Sequence, residues 1–372
     1  METKGAISKL GFGMMRLPRR GVFIDQEVVN EMTDRYLEAG GTYFDTAFIY
    51  PGSEQSVKRA LADRHNRDEY YLATKLNAFI PPLQTMQMAR NQLETSLERT
   101  GAGYFDFYLL HSLMDSNISK YDRMKLWDYV QEEKAKGKIR HCGFSYHAGP
   151  ERLDRLLEEH KETEFVQLQI NYADWESGNV QSRMNYEVAR KHNVPIVIME
   201  PVKGGKLANP PEKVRKIFSY VHPDWSYASW ALRFAMSLDG VMTVLSGMSS
   251  MEQMEDNLKT MKSMEMGDAE RAALREVQGI LGESRIIPCT ACKYCSGCPK
   301  EINIPGIFEA MNMQLGDGRM EAARACYAEN AGEHGADTCI ACHKCESACP
   351  QHINISEHMR TAARMFETAA ES

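Results

Sequence analysis

The residues most able to do chemistry in this chain of 372 are its cysteines. The first 288 residues contain only Cys142, and eight of the remaining cysteines fall into two short motifs. The first motif is Cys289, Cys292, Cys295 and Cys298 followed by Pro299. The second is Cys339, Cys342, Cys345 and Cys349 followed by Pro350. A secreted disulfide scaffold spreads its cysteines through a short chain, whereas tight clusters in an otherwise cysteine-poor protein read as metal ligands.

The second motif has the spacing of the bacterial ferredoxin run for a [4Fe-4S] centre, and the first is one residue shorter before its Cys-Pro. Three thiolates at that spacing wrap one face of a cubane, and the cysteine before proline belongs to the neighbouring cluster. The assignment is therefore Cys289, Cys292, Cys295 and Cys349 to one [4Fe-4S] cluster, and Cys339, Cys342, Cys345 and Cys298 to the other. Zinc also takes four-cysteine sites and is the competing ligand, although it commonly uses two paired knuckles rather than a triplet plus Cys-Pro. Cys142 and Cys326 stand outside the motifs and read as small packing residues.

These motifs need a scaffold. From about residue 5 to 280, short β-branched runs alternate with amphipathic stretches. Strands are expected at Leu10–Met15, Tyr43–Ala47, Tyr70–Lys75, Phe105–His111, Ile139–Ser145, Phe165–Asn171, Pro195–Glu200 and Val241–Gly247. Helices are expected at Gln26–Ala39, Leu83–Arg99 and Tyr121–Lys136, among others. Eight such units over roughly 250 residues fit an α/β fold, a (β/α)8 barrel of the TIM type. A doubly wound sheet competes, but no G-x-G-x-x-G follows the first strand. After Gly282 the strand signals stop, which places a barrel at 1–282 and a small α-helical, ferredoxin-like dicluster domain at 283–372. That tail carries a helical stretch from Pro305 to Ala331 and a last, fraying helix from Ile355 to Ser372.

In such a barrel, chemistry sits at the C-terminal ends of the strands. Asp45 and Tyr50 follow the second strand, Lys75 ends the third, and His111 ends the fourth. Each alone is readily a structural hydrogen-bonding residue; four on successive strands of one face are not easily dismissed.

The run Tyr43 to Glu54, with Ala73-Thr74-Lys75 and Leu109-Leu110-His111, closely resembles the aldo-keto reductase signature. The resemblance extends over about 280 residues, and barrels of this kind with cysteine-rich tails form a subgroup that this chain resembles. It implies reduction of a small carbonyl, or oxidation of an alcohol, by hydride from NADP(H) or NAD(H). Tyr50 would be the general acid, with Lys75 lowering its pKa from about 10. Asp45 would hold Lys75 charged and oriented, and His111 would orient the carbonyl or relay the proton. The resemblance also implies carboxamide contacts at Ser145 and Gln167, with Asn171 nearby, and a pyrophosphate loop at Gly204, Gly205 and Lys206. An adenosine segment would hold Gly247, Ser249, Gln253 and Asn257 at a helix N-terminus.

Three positions depart from the family pattern. Tyr146 follows Ser145 where Asn is expected, Met199 stands where many members stack a Tyr on the nicotinamide, and Ser249 replaces an Arg that often binds the 2′-phosphate. Trp175, Trp225, Tyr227 and Phe79 are further candidates for an apolar pocket wall.

Two other readings accompany this one. The clusters could be structural staples on an ordinary reductase, because a short helical tail builds a thin core. The barrel could instead serve as an electron-transfer or regulatory subunit, or run a redox-neutral isomerisation. A redox partner protein fits the first reading, with the difficulty that hydride carries two electrons and each cluster one. The formal charge of −7, from 44 basic and 51 acidic residues, argues against nucleic acid as a partner. No apolar run approaches the ~20 residues of a membrane span, and the N-terminus lacks a secretory h-region, so a cytoplasmic location is expected.

Overall fold

The computed structural model describes residues 5–78 and 85–367. Its centre is a closed barrel of eight strands. They are β1 (Leu10–Gly13), β2 (Tyr43–Asp45), β3 (Tyr71–Leu76), β4 (Phe105–Leu113), β5 (Ile139–Tyr146), β6 (Phe165–Gln169), β7 (Ile196–Met199) and β8 (Val241–Ser246). Neighbours in the chain are neighbours in the sheet, all pairs are parallel, and β8 closes against β1. The expected (β/α)8 architecture is therefore observed.

The strands' period of two decides what points inward. Tyr43, Ala73, Phe107, Leu109, Phe165, Val197 and Leu245 form the apolar plug of the barrel interior. Two residues further along the same strands come Asp45, Lys75, His111, Gln167 and Met199, all lining the cleft at the barrel mouth. The alternate residues, such as Phe44, Leu72, Tyr108, Phe144 and Val166, belong to a larger core between strands and helices. One periodicity thus builds the plug and raises the polar residues above it.

Several elements end sooner than the apolar pattern implies. β6 stops at Gln169, because the Asn171 amide is turned onto Asp174 Oδ2 at 2.8 Å and the Glu200 carbonyl at 3.2 Å. The expected Tyr121–Lys136 helix is two helices, Ile118–Arg123 and Leu126–Ala135, broken where Lys125 takes φ 50°. The helix expected from Leu83 runs over Met86–Thr100, capped by the Thr85 side chain; Leu83 lies outside the described residues.

Beyond β8 the described residues contain helices and turns but no strand. The helix Asp268–Gly282 ends with Glu283 as its C-cap. The Pro305–Ala331 stretch is two helices, Ile304–Asp317 and Met320–Ala331, with the turn at Gly318 (φ 67°). They pack with the helix Ile355–Phe366 over a separate apolar cluster that includes Ile302, Ile307, Phe308, Met311 and Met359, with Cys349 among them.

β5 and β6 approach closely at Gly143, where an added Cβ would lie 2.2 Å from the Phe165 carbonyl oxygen. Backbone cannot yield as a side chain can. Gly143→Ala should cost about 2 kcal/mol or more, as overpacking does. In a thermal melt that is a drop of several degrees; an unchanged midpoint would contradict this packing.

Candidate active site

The four strand-end residues converge. Asp45 and Lys75 end adjacent strands, with Asp45 paired to Ala73 in the parallel register, so their side chains rise together. Lys75 is 1% exposed and Asp45 4% exposed. Lys75 Nζ donates to Asp45 Oδ1 at 2.5 Å and to the Thr46 carbonyl at 2.7 Å. Burial raises the Asp45 carboxyl and lowers the Lys75 ammonium, and their mutual contact opposes both shifts. Tyr50 lies over this pair, with Lys75 Nζ 5.2 Å from its ring centroid. The His111 ring meets the Tyr50 ring edge-on at 5.8 Å.

His111 is held neutral. Burial, then the Lys75 charge and His147, push its pKa well below the ordinary value. Tyr50 moves the other way: burial raises it well above 10, and Tyr294, Asp45 and Glu200 push in the same direction. The net direction is therefore opposite to the expected one: burial outweighs the lowering by the Lys75 ammonium, which is shared with Asp45 and the Thr46 carbonyl, so Tyr50 keeps its proton and is a hydrogen-bond donor.

The cleft above these groups has a volume of about 350 Å³ and is roofed by the cysteine-rich segment. Arg16 donates to the Thr290 carbonyl at 2.7 Å, and Thr290 Oγ1 donates to Glu200 Oε1 at 3.1 Å. Gln351 and Gln169 exchange amide hydrogen bonds at 3.0 and 3.1 Å, and His352 meets the His147 carbonyl at 2.7 Å. Ser116 Oγ donates to the Ser347 carbonyl at 2.9 Å. Within this ring of contacts, Cys292 and Tyr294 reach the cleft, and the Tyr294 hydroxyl lies 3.2 Å from His111 Nε2. It is also hydrogen-bonded to Tyr50. Arg16, Glu200, His147 and Tyr294 carried no local signal in the sequence; only the fold brings them to the mouth.

The residues expected to hold a nicotinamide divide into two groups. Ser145, Gln167, Gly204, Gly205, Gly247, Ser249, Gln253 and Asn257 line the cleft, as does Met199. Ser249 and Gln253 are bound together, Ser249 N to Gln253 Oε1 at 2.8 Å, beside the helix Met251–Met261 that Ser250 caps. Asn171 and Lys206 do not line it. Asn171 is spent in the turn after β6, and Lys206 donates to the Ile287 carbonyl at 3.2 Å. Gly204 is pressed against Thr290, where a Cβ would come within 2.8 Å of the carbonyl, while the space at Gly205 is open.

Tyr146 faces the helices, donating to the Gly149 carbonyl at 2.6 Å, so it cannot stand in for an Asn in the cleft. Trp175, Trp225 and Tyr227 pack into the helix layer instead of walling the cleft, and Phe79 lies outside the described residues.

The cysteines gather as two groups. Burial raises the thiols of Cys289, Cys292, Cys295 and Cys349; Cys289 and Cys349 add to the shift at Cys292, those two and Cys292 add to it at Cys295, and Cys292 and Cys295 reach about 12. Cys298, Cys339, Cys342 and Cys345 line a second small cavity together with Ile302 and Met359. The two motifs also repeat in backbone conformation. Positive φ occurs at Ala291, Lys293 and Glu301 in the first and at the matching Ala341, His343 and His352 in the second.

A closed eight-stranded parallel barrel with this polar cluster at its mouth defines a class of protein, and comparison with known proteins names it. Residues 9–278 match the Aldo/keto reductase family, and the chain belongs to that family. The match ends before the first cysteine motif. A relative in Bacillus subtilis, called uncharacterized oxidoreductase YqkF, is 23% identical over 302 residues, covering 72% of this chain and 92% of that protein. An aldo-keto reductase of Mycobacterium avium is 28% identical over 259 residues, covering 69% and 82%. Among solved structures, the holo form of aldo-keto reductase AKR11C1 from Bacillus halodurans matches with a TM-score of 0.59 at 24% identity, covering 74% and 95%. An aldo/keto reductase from Klebsiella pneumoniae in complex with NADP and acetate matches with a TM-score of 0.59 at 21% identity, covering 74% and 95%.

Buried His111 and half-buried His147 set a pH dependence. Burial holds His147 at about 3 and His111 well below its ordinary value, so below the unfolded value of ~6.5 protons favour the unfolded chain. This stability is present above that value and is lost as pH falls. For His147 alone, going from pH 7 to pH 5 should cost about 2 kcal/mol. Denaturation of wild type and His147→Gln at both pH values checks this: the variant should lose less than wild type.

Proposed function

We propose that this chain is an NAD(P)H-dependent oxidoreductase acting on a small carbonyl or alcohol, with a C-terminal domain (283–372) that binds two [4Fe-4S] clusters. The observation that carries the reading is the convergence of Tyr50, Lys75, Asp45 and His111 in one cleft. Bound nicotinamide supplies the hydride for the substrate carbon. The NADP-bound Klebsiella structure supports such a cofactor in this barrel. So does the Gln167 Oε1 atom, buried without a hydrogen-bond partner and able to accept from a carboxamide. Ser145, Gly205, Gly247, Ser249, Gln253 and Asn257 complete the cofactor's lining.

Tyr50, held protonated, gives its hydroxyl proton to the carbonyl oxygen. Neutral His111 orients that oxygen through Nε2. The Lys75 ammonium stabilises the phenolate left behind, and Asp45 keeps Lys75 charged and in place.

The two groups of four thiols fit iron–sulfur cubanes better than zinc. Four thiolates at about 2.3 Å from one zinc ion stand only about 3.8 Å apart. Among the described residues, no three cysteine sulfurs come within 4.8 Å of one another, so they are not drawn up around a single zinc ion. The assembled clusters carry single electrons. Their place beside the apolar core of the helical tail also favours a stapling role, as metal ligation contributes folding energy.

Two measurements test the reading. Tyr50→Phe should lower kcat/KM for aldehyde reduction by 100-fold or more while nicotinamide affinity holds; retained activity would overturn the mechanism. Protein purified without oxygen should contain about eight iron and eight sulfide per chain. Stoichiometric zinc instead would remove the clusters from the account. Titrating with NADPH and with NADH identifies the preferred cofactor.

A further inference from the structure

Tyr294 is the one side chain of the cysteine motifs whose hydroxyl reaches the barrel's reactive groups. It is hydrogen-bonded to Tyr50 and stands 3.2 Å from His111 Nε2. Under the proposed function, these two groups are the ones that receive the substrate's carbonyl oxygen. A phenol oxygen there presents to Tyr50 the same acceptor that a carbonyl would.

The internal repeat shows that iron binding does not call for this residue. Tyr294 precedes the third cysteine of its motif as Lys344 precedes the third cysteine of the second, and Lys344 is exposed. Both motifs turn at the preceding residue in the same way, with φ 64° at Lys293 and 58° at His343. The difference between Tyr and Lys is therefore a matter of what the side chain meets. The segment is also pinned to the barrel just upstream, through Thr290 to Arg16 and Glu200.

Resting on the proposed roles of the tetrad Tyr50, Lys75, Asp45 and His111, we propose that Tyr294 is a tethered occupant of the carbonyl-oxygen position, so that the cysteine-rich segment sets which substrates the barrel accepts. A ligand oxygen must displace the Tyr294 hydroxyl before Tyr50 and His111 can hold it. A substrate succeeds when contacts elsewhere in the cleft offset that loss; a simple aldehyde or carboxylate with no such contacts competes poorly.

The test uses the full-length, iron-replete chain and benzoate, whose carboxylate probes the oxygen position without chemistry. Calorimetric titration of wild type, Tyr294→Phe, Tyr50→Phe and the double variant gives the affinities. Phenylalanine keeps the ring and deletes the competing hydroxyl. Tyr294→Phe should bind benzoate about tenfold more tightly, the equivalent of one hydrogen bond no longer displaced. The gain should vanish when Tyr50 is also Phe. Unchanged iron content, visible absorbance and thermal midpoint would show that the segment is intact. Unchanged or weaker benzoate binding by an intact Tyr294→Phe protein overturns the proposal, as does a gain that survives the loss of Tyr50. Failure of the reductase reading is seen separately, as carbonyl reduction that persists in Tyr50→Phe.

Discussion

The buried Lys75–Asp45 pair is the constraint on which the rest of the site depends. An ammonium at 1% exposure is tolerable only when a carboxylate and a carbonyl meet it, and both come from the end of the neighbouring strand. That meeting requires β2 and β3 to be adjacent, parallel and in one register, which the closed barrel enforces. The same charge then acts outward, helping to hold His111 neutral and standing beneath the Tyr50 ring. Each group's protonation follows from its depth and its neighbours.

The cysteine-rich segment adds a second constraint from the opposite side. It roofs the cleft through backbone and side-chain hydrogen bonds on several strand-end loops. Polar contacts of this kind fix orientation more than they add stability. Tyr294 and Cys292 are thereby carried to the tetrad, so one set of cysteines borders the reactive groups while Cys342 of the other is exposed.

Much of this was legible in the sequence, and what was not has a physical cause. Strand alternation gave the barrel, because period-two burial is a local property. Asp45, Lys75 and His111 were legible because each stands two residues beyond an interior residue of its strand, and Tyr50 because the run after the second strand resembles the family signature. Motif spacing set Cys349 with the first cysteine group as a proposed cluster ligand. Asn171 and Lys206 were placed at the cleft by family pattern, yet local turns take them elsewhere. The direction of the Tyr50 shift was misjudged because burial and the commitment of Lys75 to Asp45 are properties of depth. Tyr294 was invisible because its partner His111 is 183 residues away in the chain.

The measurement that tests the whole account most directly is a crystal structure of the full-length chain grown without oxygen, with anomalous data collected at the iron edge. The account predicts two four-iron centres, one held by Cys289, Cys292, Cys295 and Cys349 and the other by Cys298, Cys339, Cys342 and Cys345. It also predicts the Tyr294 hydroxyl within hydrogen-bonding distance of both Tyr50 and His111. Absence of iron at the cysteines, or a Tyr294 side chain turned away from the tetrad, would contradict it.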